Sequence, residues 1–144
     1  MKKILLTILF TTSFLIGGQL KVGDSIKTIS YKNQFEQNII ITKDTKKLII
    51  AFSKDNGEAI KSHIEKHPNY LQTTNSVYFA DVSGAPKFIM NMFMLPKIQK
   101  YTFSMILLED EKSKEQFPQK DDLITIITLE NLKIKAIEFK SNIQ

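Results

Sequence analysis

Three features of this sequence place side chains where they could do chemistry: a histidine pair, a methionine run and a polar turn between a strand and a helix. His63 and His67 stand at i and i+4 in HIEKH, so a helix puts both imidazoles on one side, at the spacing metal-binding helices use. Glu65 occupies the third place of that motif and not the second, so the zinc-protease pattern is not met, and no third ligand is evident. Met90, Met92 and Met94 form M-x-M-x-M, a thioether pattern suited to copper(I). On a helix, residues two apart point about 200° apart, so only Met90 and Met94 converge, and packing beside Phe88 and Phe93 is their plainer role. Glu109, Asp110, Glu111 and Glu115 lack the ligand spacing of a calcium loop and read as a solvated connection. Ser83, in DVSGAP, does not satisfy G-x-S-x-G and reads as a helix cap. No catalytic residue, no metal site and no cofactor is assigned.

The turn SKDNGE joins the apolar run LIIAF to an amphipathic helix. A helix N-terminus offers unpaired N–H donors and a partial positive charge, which stabilise a thiolate or a bound anion. This turn holds no thiol. The whole chain has no cysteine, which excludes disulfides, thiolate metal sites and thiol catalysis. What remains for the turn is a contact surface of Lys54, Asp55 and Asn56, with Tyr101 as its aromatic anchor, all expected near the carboxyl ends of a sheet. The 144 residues make one domain, and the net charge of +5 comes from lysines spread along a chain without arginine. Nucleic-acid recognition favours clustered arginine, so the lysines read as a solvated surface and no nucleic-acid partner is expected.

The elements that must hold these residues follow from periodicity. Apolar residues at Ile26 and Ile29, then at Ile39 to Ile41, predict two short strands around a turn at Lys32 to Gln34. LIIAF (48–52) predicts a central strand buried on both faces. The following helix takes Asp55 or Asn56 as its cap, buries the side bearing Ala59, Ile60, His63, Ile64 and His67, and ends at Pro68. VYFAD (77–81) is the next strand, and Ser83 caps a second helix, apolar nearly all round and therefore covered, which Pro96 breaks or kinks. TFSMILL (102–108) is a third buried strand, EDEKSKEQFPQKDD a charged connection, and LITIITL–ENLK–IKAIEFK a closing hairpin. Helices are expected on both faces of the mixed sheet.

The N-terminus MKKILLTILFTTSFLIGG has the three-part pattern of a secretory signal peptide, with an apolar run too short to span a bilayer. The expected organisation is a signal peptide over 1–18 and one domain over 19–144, in the periplasm or outside the cell. No stable membrane span is expected once the signal is removed.

The element order and the opening KVGDSIKTISYKNQFEQNIIIT resemble the thioredoxin-like superfamily, near its peroxiredoxin and secreted thiol-reductase branches. The resemblance implies an α/β fold: a thioredoxin-like mixed central sheet flanked by helices, with an N-terminal β extension and a C-terminal β-hairpin. It also implies dithiol chemistry after LIIAF and a cis-proline before the third central strand. Here Gly57 and Ile60 occupy the cysteine positions, and Tyr101 the proline position. The stretch ADVSGAP with LPK is similar to short secreted proteins described as FAD/FMN-containing dehydrogenases, but no Gly-rich dinucleotide fingerprint occurs, and no flavin is assigned. The resulting expectation is an exported, non-catalytic module without a redox centre that binds a cell-envelope protein or an extended peptide. The alternative is a copper or small-ligand carrier using Met90 and Met94, or His63 and His67.

Overall fold

Leu48, Ile49, Ile50 and Ala51 are apolar on both sides of the backbone, so the strand they form needs cover on two faces. The computed structural model, which describes residues 18–144, shows how that cover is supplied. The signal-peptide expectation lies outside the described residues, apart from Gly18. In chain order the elements are β1 (Ser30–Lys32), β2 (Asn38–Ile40), β3 (Lys47–Ala51), α1 (Lys54–Lys66), α2 (Tyr70–Thr73), β4 (Ser76–Asp81) and α3 (Lys87–Ile89). A π-helical turn (Met90–Met94) then leads into α4 (Leu95–Ile98), β5 (Ile106–Leu108), α5 (Glu111–Glu115), β6 (Ile124–Glu130) and β7 (Lys133–Lys140). The five-stranded sheet has the order β5-β4-β3-β6-β7, with β3, β4 and β5 parallel and β6 and β7 antiparallel. β3 is central, as expected.

Alternation along β3 divides the interior. Ile49 and Ala51 face one core with Ile60 and Ile64 of α1, Leu71 of α2, and Met90 and Ile98 of the α3–α4 segment. Leu48 and Ile50 face a second core with Phe79, Ile106, Phe117, Ile127 and Ile134. On that second face α5 is followed at once by Phe117, which is buried, but most of the remaining cover comes from the N-terminal extension through Leu20, Ile26, Tyr31, Ile39 and Ile41.

The same extension guards both edges of the sheet, where unpaired backbone groups would otherwise invite another strand. At the β7 edge, Gly23 N–H donates to Ile134 O (2.9 Å) and Ile134 N–H to Asp24 O (2.9 Å). At the β5 edge, Asn33 bridges Ile106, and Gln34 N–H donates to Met105 O (3.2 Å). The first strand therefore begins at Ser30 and not at Ile26, because residues near Ser25 are engaged with Lys133 instead of with β2. The fully buried Gln34 side chain behaves as a second piece of backbone: its Nε2 donates to Phe103 O (2.7 Å), and its Oε1 accepts from Met105 N–H (2.9 Å). These bonds hold residues 103–105 against the extension, which leaves only Ile106–Leu108 to pair with β4 and shortens the expected strand over 102–108.

Three helix expectations are corrected. Ser53 caps α1, its Oγ accepting from Asn56 N–H (3.2 Å), where Asp55 or Asn56 was expected; Asp55 instead sits in the first turn, where a carboxylate complements the helix dipole. The second helix is capped at Pro86 and not at Ser83, whose hydroxyl donates to Asp81 Oδ1 (2.6 Å). Pro96 neither stops nor breaks it. Proline lacks an N–H and crowds the carbonyl four residues back, and the wider π-turn just before it relieves both problems.

Removing the Gln34 side chain leaves a buried carbonyl and a buried N–H without partners. Gln34→Ala is expected to cost about 2–4 kcal/mol of stability, read as a lower urea midpoint at unchanged slope.

Candidate functional site

The carboxyl ends of β3 and β4 meet the first turn of α1 in a hollow made by small residues. Ala51 and Ala80 are direct cross-strand partners at the strand ends, and Gly57 faces them from the helix. A larger side chain at any of these positions would fill space that is instead a cavity of about 420 Å³. Its floor and walls are apolar, with Tyr78, Val82, Met94, Ile98 and Met105, while Lys54, Glu58, Lys97 and Asp81 supply charge around them. Tyr101 closes one side, its ring stacked on Phe103 at 5.2 Å between centroids, with Lys61 Nζ 5.4 Å from its own centroid. Burial holds the Tyr101 hydroxyl above its ordinary pKa, and the Glu58 carboxylate adds to the rise.

Tyr78 dominates the floor. Its ring is buried, and its hydroxyl oxygen lies 3.6 Å from where a Gly57 β-carbon would stand. Burial pushes its pKa far above that of a free tyrosine, with Tyr101 and Glu58 as smaller contributors. A neutral hydroxyl at the wall of an apolar hollow can orient a ligand, but it is no nucleophile near neutral pH.

The sequence-predicted residues divide between this site and the scaffold around it. Lys54 and Tyr101 both line the cavity. Asp55 is exposed in the same helical turn without lining it. Asn56 is buried, and its Nδ2 donates to Asp122 O (3.1 Å), which ties α1 to the turn before β6. Asp122 takes a left-handed conformation (φ 61°) there. That turn is the one bonded to the start of α1 because β6, and not β5, pairs with β3; Tyr101 precedes the edge strand β5 instead. Of the two positions matched to the cysteines, Gly57 lines the cavity and Ile60 is fully buried. The described residues contain no cis peptide bond.

The metal candidates are placed differently. Met90 packs in the core, and Met94 lines the cavity. The rings of His63 and His67 lie 4.7 Å apart beside Tyr70, at an open depression. Burial lowers the His63 pKa, with the charges of His67 and Lys66 adding to the effect. No group of three His, Cys, Asp or Glu side chains able to hold a metal ion occurs among the described residues.

Tyr78, Ala80 and Met105 were not anticipated as lining residues. The available signal was the change from large to small along each strand, Ile49 to Ala51 and Tyr78 to Ala80, which marks where a core thins.

No protein-family model matches the chain, and no curated protein does. Its shape is similar to solved structures. A PrxQ mutant of Xylella fastidiosa superposes with a TM-score of 0.56 at 9% identity, over 89% of this chain and 91% of that one. Peroxidoxin BcpB from Mycobacterium tuberculosis gives 0.54 at 8% identity, over 85% and 87%. The thioredoxin domain of a thiol-disulfide oxidoreductase from Bacteroides vulgatus gives 0.51 at 12% identity, over 85% and 91%. The fold is thioredoxin-like, in a chain without cysteine.

The tyrosines give a pH test. Each of the four has its pKa raised, with burial the leading cause, and Tyr78 is raised most. A group that holds its proton more tightly when folded contributes stability below its unfolded pKa and loses it as pH rises. Stability should therefore fall from about pH 10 upward, where unfolded tyrosine ionises. In Tyr78→Phe that fall should be shallower, and the last step of the absorbance titration at 295 nm should disappear.

Proposed function

We propose that the protein is an exported, non-catalytic binding module, and that its partner, a cell-envelope protein or an extended peptide, inserts an apolar side chain into the cavity between α1 and the α3–α4 segment. The observation that carries this reading is the pairing of Ala51 with Ala80 opposite Gly57, which opens an apolar hollow at the carboxyl ends of parallel strands. Ligands of open α/β sheets gather at such ends. A volume of about 420 Å³, with an apolar floor and a few charged groups at its margin, suits one or two inserted side chains.

The absence of cysteine supports a role without thiol chemistry: Gly57 stands where an activated thiolate would be needed, and the neutral Tyr78 hydroxyl does not replace it. Lys54 and Tyr101 would contact the partner directly. Asp55, exposed one residue from Lys54, would meet it at the rim, whereas the buried Asn56 would act by fixing the turn. Export rests on the N-terminal MKKILLTILFTTSFLIGG, and the periplasm or the cell exterior is the proposed location. No helix among the described residues is long and apolar enough to cross a membrane.

Site-specific photo-crosslinking in cells tests the reading. Crosslinkers at Lys97 and Tyr101 are expected to trap one discrete partner, and a crosslinker at exposed Ser62 none. Gly57→Leu, which fills the hollow without demanding an unusual backbone conformation, should lower adduct yield about tenfold in protein that circular dichroism shows to be folded. Adducts that persist unchanged in Gly57→Leu would place binding elsewhere.

A further inference from the structure

The α3–α4 segment was expected to be largely covered, because it is apolar nearly all round. It is not. Its inner row, Met90, Met94 and Ile98, meets the core and the cavity, but Phe88, Met92 and Phe93 are 61%, 66% and 63% exposed. Large apolar side chains exposed together mark an interaction surface.

Charge decides what this ridge fits. Between Val82 and Leu108 the chain carries Lys87, Lys97 and Lys100 and no acidic residue at all. The three lysines are exposed, and none of them forms an ion pair. The acids Glu58 and Asp81 line the cavity on the segment's inner side. Protein interfaces are depleted in lysine, whereas helices that lie in the surface of an anionic bilayer combine exposed aromatic and aliphatic residues with flanking lysines whose stems reach back to the headgroups.

We propose that the α3–α4 ridge docks on an anionic lipid surface, with Phe88, Met92 and Phe93 entering the headgroup boundary and Lys87 and Lys100 against lipid phosphates. This docking is separate from partner binding in the cavity, so either one stands or fails alone. Each lysine near such a surface contributes about fivefold in affinity.

The chain has no tryptophan, so Met92→Trp places a single reporter on the ridge of the full-length protein. The expected result is a blue shift of its emission with phosphatidylglycerol vesicles and none with phosphatidylcholine vesicles. Replacing Lys87 and Lys100 with Glu should weaken the vesicle-induced shift by about 25-fold or more in lipid concentration. A Ser62→Trp reporter, on the outer side of α1, should stay unshifted, which separates ridge insertion from attachment through the N-terminal segment. If Met92→Trp folds poorly, Phe93→Trp serves the same purpose. No shift with phosphatidylglycerol overturns the proposal, as does an equal shift with phosphatidylcholine. A concentration-dependent shift without vesicles would assign the ridge to a second protein copy and overturn it as well.

Discussion

The structure depends on one constraint: a five-stranded sheet that is apolar on both faces has helices packed in depth on only one of them. α1, α2 and the α3–α4 segment bury Ile49, Ala51, Tyr78 and Ala80 on the first face. The second face, with Leu48, Ile50, Phe79 and Ile127, is closed by Phe117 and by the extension from Leu20 to Ile41. That extension runs from the β7 edge, where it meets Ile134, to the β5 edge, where Asn33 and Gln34 meet Ile106 and Met105. Ordering a strap of this length costs conformational entropy, and the burial of Ile41 together with the bonds of Gln34 offsets it. Without the strap, two sheet edges and one apolar face would be open to other chains.

Crowding the helices onto one face also creates the site. α1 and the α3–α4 segment stand side by side over the carboxyl ends of β3 and β4, and the gap between them is filled only if the residues beneath are large. They are Ala51 and Ala80, with Gly57 above. The gap is kept in shape by polar ties at its margin: Asn56 to Asp122 at the helix start, and the Asp81 carboxylate, which accepts from Ser83 and lies 3.5 Å from Lys114 Nζ. These groups are hydrogen-bonded or ion-paired to protein already, so their role is to fix the walls. The chemistry open to a ligand is then limited to apolar contact, the Tyr78 hydroxyl and the unpaired charges of Lys54, Glu58 and Lys97.

What the sequence made legible follows how local each signal is. The run Leu48–Ala51 announced a central strand because nothing in it tolerates water, and LITIITL with IKAIEFK announced a hairpin that closes through Asn131 and Leu132, both left-handed (φ 49° and 65°). Lys54 and Tyr101 line one cavity, since turns after parallel strands gather at one end of a sheet. Asn56 was misjudged because its partner, the Asp122 carbonyl, is distant in sequence; the same residue type serves equally as a cap. Gln34 was illegible for the same reason: a glutamine in a polar stretch gives no hint that two backbone groups beyond residue 100 will bury it. The outer face of the α3–α4 segment was read as covered because periodicity reports how apolar a helix is, and not how many neighbours the topology provides.

The α3–α4 segment therefore lies between the cavity and the exposed ridge. Met94 and Lys97 face the cavity, while Phe88, Met92 and Phe93 face outward from the same few turns. Pro96 is what makes this division unusual. A regular helix up to a proline would leave the Met92 carbonyl pressed against the ring, and the π-turn over Met90–Met94 widens the backbone where that conflict falls. The widening changes which side chains share a face, so one residue without an N–H influences both the wall of the cavity and the makeup of the exposed ridge. A π-turn is retained in a helix only when the surrounding packing over-determines it, and here the buried Met90 and Ile98 anchor it on either side. The inner and outer surfaces are thus set by one local backbone feature, and a change that regularised the helix would alter both together.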